Sequence, residues 1–316
     1  MHLRTIVLIA VLLVLGPTLW AQKGTGKSYR IDRYSSIYLP LGKISFADSI
    51  VSFTIGDPPP LEKYADPLQS LHEPNYKNYH SGKFLSLGCK GSITLAFTDN
   101  GFMNLPGNDL YIFEVGPSKE SAKIEISVDG SEWFYAGTIA GGKSIIDLSE
   151  EQIDPEIVFY YMRITDLQDL CKSKTAGADI DAVGAINSVI KLSINADVLF
   201  DVAEFKLKTS AQQTLDTLTQ LIKQVDKATI VVEGHTDSDG SDASNMTLSE
   251  NRCYSVVDQL RALLGYEAHY DYEIRAMGET RPKVDNDTPE NKQMNRRVEI
   301  TVLPPKDYYN SLPKQD

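Results

Sequence analysis

Residues 234–252 read GHTDSDGSDASNMTLSENR, a turn-rich stretch with one histidine, three aspartates and one arginine. Its flanks decide how it folds. ATIVVEG (228–234) enters it as an apolar run of strand length. Beyond it, Val256, Val257, Leu260, Leu263 and Leu264 recur at helical spacing. The stretch is therefore a loop between a strand and a helix. Further out, TSAQQTLDTLTQLIKQV (209–225) places Leu215, Leu218, Ile222 and Val225 on one helical face. KLSINADVLF (191–200), YEIRAMG (272–278) and RRVEITV (296–302) read as strands, with Val298, Ile300 and Val302 alternating in the last. Helices alternating with strands predict a β/α sandwich over 191–303. The closing PPKDYYNSLPKQD has little to bury, so 304–316 is expected to be a flexible tail.

Metal, nucleophile and ligand seat are the three chemistries such a loop suggests. Asp237, Asp239 and Ser241 stand at positions 1, 3 and 5 of an EF-hand loop. Position 6 should be glycine but is Asp242, and position 12 should be glutamate but is Leu248. Zinc wants three or four ligands, mostly His or Cys, and His235 has no histidine four residues on. Ser249 falls in the first turn of a helix with no motif that sets a base beside it. His235 lies two residues from Asp237 on a strand, so the two share a direction without facing each other. It is expected to be held by hydrogen bonds near the strand end. A seat for a charged ligand remains.

The order VLF (198–200), VVEGHTD (231–237), NMTLSENR (245–252), RAMGETRP (275–282) and MNRRVEI (294–300) resembles the OmpA-like C-terminal domain over about 193–303. That resemblance implies a β/α sandwich that binds peptidoglycan non-covalently at the diaminopimelate of its stem peptide. By position, Asp237 and Arg252 match the residues that hold diaminopimelate, with Thr236 beside them. The chemistry agrees, because the free end of diaminopimelate is a zwitterion. A carboxylate and a guanidinium would each take one of its charges. Asn245, three residues before Leu248, is expected to N-cap the helix and shape the loop. Arg296 and Arg297 open the last strand, where either could meet a peptide carboxylate.

The first half has another rhythm. SITLAF (92–97), DLYIFEV (109–115), AKIEISV (122–128) and VFYYMRIT (158–165) are short strand-like runs separated by DNG, PGN and DGS turns. They predict a β-sandwich, so the chain reads as an α+β multidomain protein with domains at 22–190 and 191–303. The runs are short and interrupted by Glu114, Lys123 and Glu125, which disfavours a membrane barrel. The segments SLGCKGSITLAF, EISVDGSEWFYAGTI and GADIDAVGAI resemble a galactose-binding-like jelly-roll module of bacterial surface proteins. That resemblance implies a structural calcium, with Asp109, Glu114, Asp166, Asp179 and Asp181 as its oxygen donors, and a glycan or envelope protein as partner. No other cofactor is expected.

IVLIAVLLVLG after a weakly basic start reads as a signal peptide over 1–21, so an exported, periplasmic protein associated with the outer membrane is expected. The excess of 43 acidic over 31 basic residues disfavours nucleic acid as a partner. Cys89 and Cys171 would be free to pair in an oxidising compartment, while Cys253 reads as a small buried residue. A non-enzymatic peptidoglycan-binding protein is the reading that results. Its alternatives are a wall-active hydrolase with chemistry in the first half, and an outer-membrane barrel protein of the OmpA type.

Overall fold

The computed structural model describes residues 26–116, 120–142, 144–168, 171–265 and 269–312. The signal peptide expected at 1–21 lies outside them. The first half contributes β1 (Lys27–Arg30), β2 (Ser36–Leu39), β3 (Ser49–Thr54), β4 (Leu85–Ser86), β5 (Ser92–Ala96) and β6 (Gly101–Phe102). It continues with β7 (Leu110–Glu114), β8 (Ala122–Ser127), β9 (Phe134–Ile139), β10 (Ser144–Ile146), β11 (Tyr161–Asp166) and β12 (Asp179–Ala185). Of these, β1 and β2 pair with each other, and nine others form an antiparallel sheet in the order β10-β7-β12-β4 and another in the order β3-β5-β11-β8-β9. Alternate residues of both, such as Ile112, Ile180 and Val183 from one and Ile93, Ile124 and Ile164 from the other, join one buried apolar cluster. The strands thus close two separate sheets over one core rather than a single barrel wall. Cys89 and Cys171 are joined, with Cα atoms 5.4 Å apart.

The second half runs β13 (Ser188–Asn195), α1 (Ala196–Leu199), α2 (Ala211–Ile222), β14 (Lys227–His235), α3 (Asp242–Leu264), β15 (His269–Gly278), α4 (Pro289–Asn295), β16 (Arg297–Leu303) and α5 (Lys306–Ser311). Its sheet has the order β15-β14-β16-β13-β6. β14 and β15 are parallel, joined through α3, and the remaining pairs are antiparallel. The fifth strand is borrowed: β6 belongs to the first half and pairs with the start of β13. Period two sends Ile230, Val232, Val298, Ile300 and Val302 toward Leu215, Leu218, Val256 and Leu260 of the helices. The same period sends Glu233, His235, Arg297 and Glu299 to the other face.

Three expectations change. KLSINADVLF is a strand only to Asn195, whose side chain accepts from the amide of Asp197 and starts α1. The long helix starts earlier than its apolar stripe suggests, at Asp242, and Ser241 rather than Asn245 is its N-cap. The tail is not loose through 312: Pro304 and Pro305 are buried and residues 306–311 form α5. Two tyrosines hold it, Tyr309 donating to Asn187 at 3.3 Å and Tyr308 lying 6.0 Å from the ring of Tyr38.

Candidate binding site

β14 delivers His235, Thr236 and Asp237 in succession to its C-terminal end, and α3 brings Asn245 and Arg252 against that end. All of them are buried. Arg252 is 2 % exposed; its Nε donates to the Glu204 carbonyl at 2.9 Å and its guanidinium lies 5.2 Å from the Phe200 ring. Its two terminal nitrogens make no hydrogen bond among the described residues. Burial lowers its proton affinity, against which the nearby carboxylates of Asp197 and Asp237 act. Asp237 and Arg252 are thus electrostatic neighbours but not a direct ion pair.

The partner of Asp237 is Arg296. Its Nη1 lies 2.7 Å from one Asp237 oxygen, while its Nε and Nη2 take both oxygens of Asp197 at 3.1 and 2.9 Å. Hydrogen bonding to both acids raises the pKa of Arg296, and Arg296 in turn lowers that of Asp197. The other Asp237 oxygen accepts from the Asp239 amide at 3.2 Å. Asn245 braces the loop from within the helix, giving its amide to the Asp237 carbonyl and to Glu279. The Thr236 hydroxyl is buried without a partner among the described residues. A cleft of about 320 Å³ adjoins Arg296, walled by Asp239, Asp287, Thr288 and Lys292. Chemically, this is a site with an engaged carboxylate, a buried guanidinium with two uncommitted nitrogens, and a spare hydroxyl.

Arg297 does not join them. One residue along a strand reverses the side chain, and Arg297 sits on the opposite face, bonded to Glu299 at 2.7 Å. His235 is on that face too, and the hydrogen bonds expected to hold it are absent: neither ring nitrogen has a partner among the described residues. Asp197 escaped the sequence reading because its segment read as strand. The Asn195-Ala-Asp197 helix start was the signal available for it.

The five acids proposed for calcium are separately engaged. Asp109 accepts from the amides of Leu105 and Leu148 and from Asn187. Asp166 accepts from the amides of Lys90, Gln168 and Ala178, and Asp181 from those of Asn75 and Tyr76. Glu114 is held by Ser144 and Asp179 by Ser86. No group of three or more His, Cys, Asp or Glu among the described residues could hold a metal ion. The calcium expectation is withdrawn, because three of these acids are taken up by backbone amides and two by serine hydroxyls instead of converging on one point.

Residues 199–296 match the model of the OmpA family. The chain is 37 % identical to outer membrane porin F of Pseudomonas aeruginosa over 141 residues, 44 % of this chain and 39 % of that protein. It is 38 % identical to outer membrane protein A of Bordetella avium over 113 residues, 36 % of this chain and 57 % of that protein. The solved cell wall anchor of the T6SS from Pseudomonas aeruginosa is 30 % identical, with 38 % of this chain and 85 % of that one covered at a TM-score of 0.33. The chain thus spans roughly two fifths to three fifths of the curated relatives just named. An OmpA-like domain closes the second half, and the protein belongs to the cell envelope at the outer membrane. Among the described residues no helix is long and apolar enough to cross a membrane.

Proposed function

We propose that residues 191–303 bind peptidoglycan non-covalently by reading the amino-acid end of diaminopimelate in the stem peptide. The observation that carries this is Arg252: a buried guanidinium with two terminal nitrogens uncommitted, beside a carboxylate. Terminal nitrogens with no hydrogen-bond partner among the described residues are free to meet a ligand, and a planar fork suits a carboxylate. Asp237 would take the ammonium of the same zwitterion, sharing its oxygens with Arg296, and Thr236 and Asn245 would hold the loop around it. The first half, residues 22–190, is read as a jelly-roll-like sandwich that presents a surface to a glycan or an envelope protein. The protein is a binder, not an enzyme.

Sedimentation with purified sacculi tests the reading. The mature protein should pellet with sacculi whose stem peptides contain diaminopimelate and fail to pellet with sacculi containing lysine instead. Asp237→Ala and Arg252→Ala should each weaken pelleting by about 2–5 kcal/mol, the range for truncating one partner of a buried charged contact. Arg252→Lys should recover part of it. Folded Asp237→Ala and Arg252→Ala proteins that pellet like wild type would end the proposal.

A further inference from the structure

The sheet face turned away from α2 and α3 is roofed by the first half of the chain. Met103, Leu105, Pro155 and Glu156 lie over it and leave a cleft of about 420 Å³. That size falls within the roughly 300–1,000 Å³ of small-molecule sites. Most charges around it are engaged. Arg281 holds Glu156 of the roof through two hydrogen bonds of 3.0 and 3.1 Å. Arg297 gives its three nitrogens to Glu299 and to the carbonyls of Asn295 and Arg281, and Lys191 lies 3.0 Å from Glu299.

Three neighbouring groups make no side-chain hydrogen bond among the described residues, although two of them form a long ion pair with each other. His235 is 2 % exposed, and both of its ring nitrogens lack a partner among the described residues. Arg275 approaches Glu233 and Glu273 only to 3.7 Å each, too long for hydrogen bonds. Glu233, largely buried, has that distant guanidinium as its ion-pair partner. Glu233 and Arg275 are direct partners across β14 and β15, and His235 follows Glu233 by two residues on the same face, about 7 Å along the strand. The imidazole is neutral near pH 7, since burial and then Arg297 opposite it hold its pKa at about 4. It therefore offers one donor and one acceptor.

A carboxylate and a guanidinium held only in a long ion pair, with a buried neutral imidazole without hydrogen bonds beside them, suit a small molecule whose ammonium and carboxylate insert between them. Met103, Leu105, Val231 and Leu303 supply an apolar wall beside them. We propose that this cleft is a second binding site, for an α-amino acid with an apolar side chain, its carboxylate on Arg275 and its ammonium on Glu233. His235 completes the set by hydrogen bonding to the same two groups. The site lies on the opposite sheet face from the Asp197 and Arg296 cluster and does not depend on the peptidoglycan reading. A peptide divides these two charges between its ends, so a free amino acid is the ligand the set fits.

Calorimetric titration of the full mature protein with L-leucine tests this, alongside the nitrogen resonances of His235. One saturable site is expected below about 10 mM, with the imidazole resonances moving in step. N-acetyl-L-leucine, which keeps only the carboxylate, and L-leucinamide, which keeps only the ammonium, should each bind about tenfold more weakly or worse. Arg275→Ala and Glu233→Gln should lose leucine by a similar factor. The proposal is overturned if no heat and no imidazole shift develop, or if Arg275→Ala and Glu233→Gln both bind leucine as wild type does. It is also overturned if N-acetyl-L-leucine or L-leucinamide binds as well as leucine, since one end of a peptide would then suffice.

Discussion

Arg296 decides how Asp237 is presented to any ligand. Its fork spans two acids from separate segments, Asp197 at the start of α1 and Asp237 beyond β14, and so fixes one against the other. A lysine keeps the charge but has one point of attachment and cannot hold both. Arg296→Lys should therefore weaken sacculus binding about tenfold, the scale of one charge-assisted hydrogen bond, with the melting temperature little changed. Equal pelleting of Arg296→Lys and wild type would show that the bridge is not needed. At this scale the sequence yielded Asp237 and Arg252 through a local motif. It could not yield Asp197, because that residue lies 99 positions from Arg296 along the chain and meets it only once the domain is folded.

Among the elements, β14 and α3 depend on each other through one glycine. A Cβ at Gly234 would stand 2.4 Å from the Ser249 carbonyl oxygen and 2.8 Å from the Cys253 sulfur. The close approach of helix to strand, which brings Arg252 to the strand end, therefore requires glycine at this position. Gly234→Ala should cost about 1–3 kcal/mol, as overpacking of a well-filled core does, read as a lower urea midpoint with an unchanged slope. An unchanged midpoint would mean that the helix shifts without cost. Periodicity located α2, β14, α3 and β16, because each buries one continuous stripe. It missed α5, which buries no stripe and is fixed by two tyrosines against the first half.

Taken whole, the molecule carries unusual acids in its first half. Burial pushes Asp109, Glu114 and Asp179 up to about 7 and Asp181 to about 6. Their unfolded values lie near 4, so between about pH 4 and 7 the native state binds more protons than the unfolded chain. The stability they contribute is present below pH 4 and is lost as pH rises through 6 to 7. His235 acts oppositely: held at about 4 by burial, it contributes stability above 6.5 that is lost as pH falls toward 4. With Asp99, which burial likewise raises to about 6, five acids against one histidine leave a net fall as pH rises above 5.5. The melting temperature should therefore be higher at pH 5.5 than at pH 8 when measured by scanning calorimetry. A higher value at pH 8 would mean that these carboxylates are ionised in the native state and stabilised by something that pairs with them.

What the sequence determined by itself was local or periodic. It yielded two halves of different rhythm, the helical and strand stripes, and the OmpA-like order of motifs ending in NRRVEI (295–300). Each of these is written in residues close along the chain, where spacing alone sets which face a side chain takes. Tertiary structure alone decided the rest. It joined Cys89 to Cys171, lent β6 to the second sheet, linked Glu156 to Arg281 across 125 positions, and left His235 without a hydrogen-bond partner among the described residues. It also dispersed five acids that had read as one calcium set. Long-range contacts depend on how finished elements pack, and packing sums small terms from many residues, so no single stretch of sequence records it.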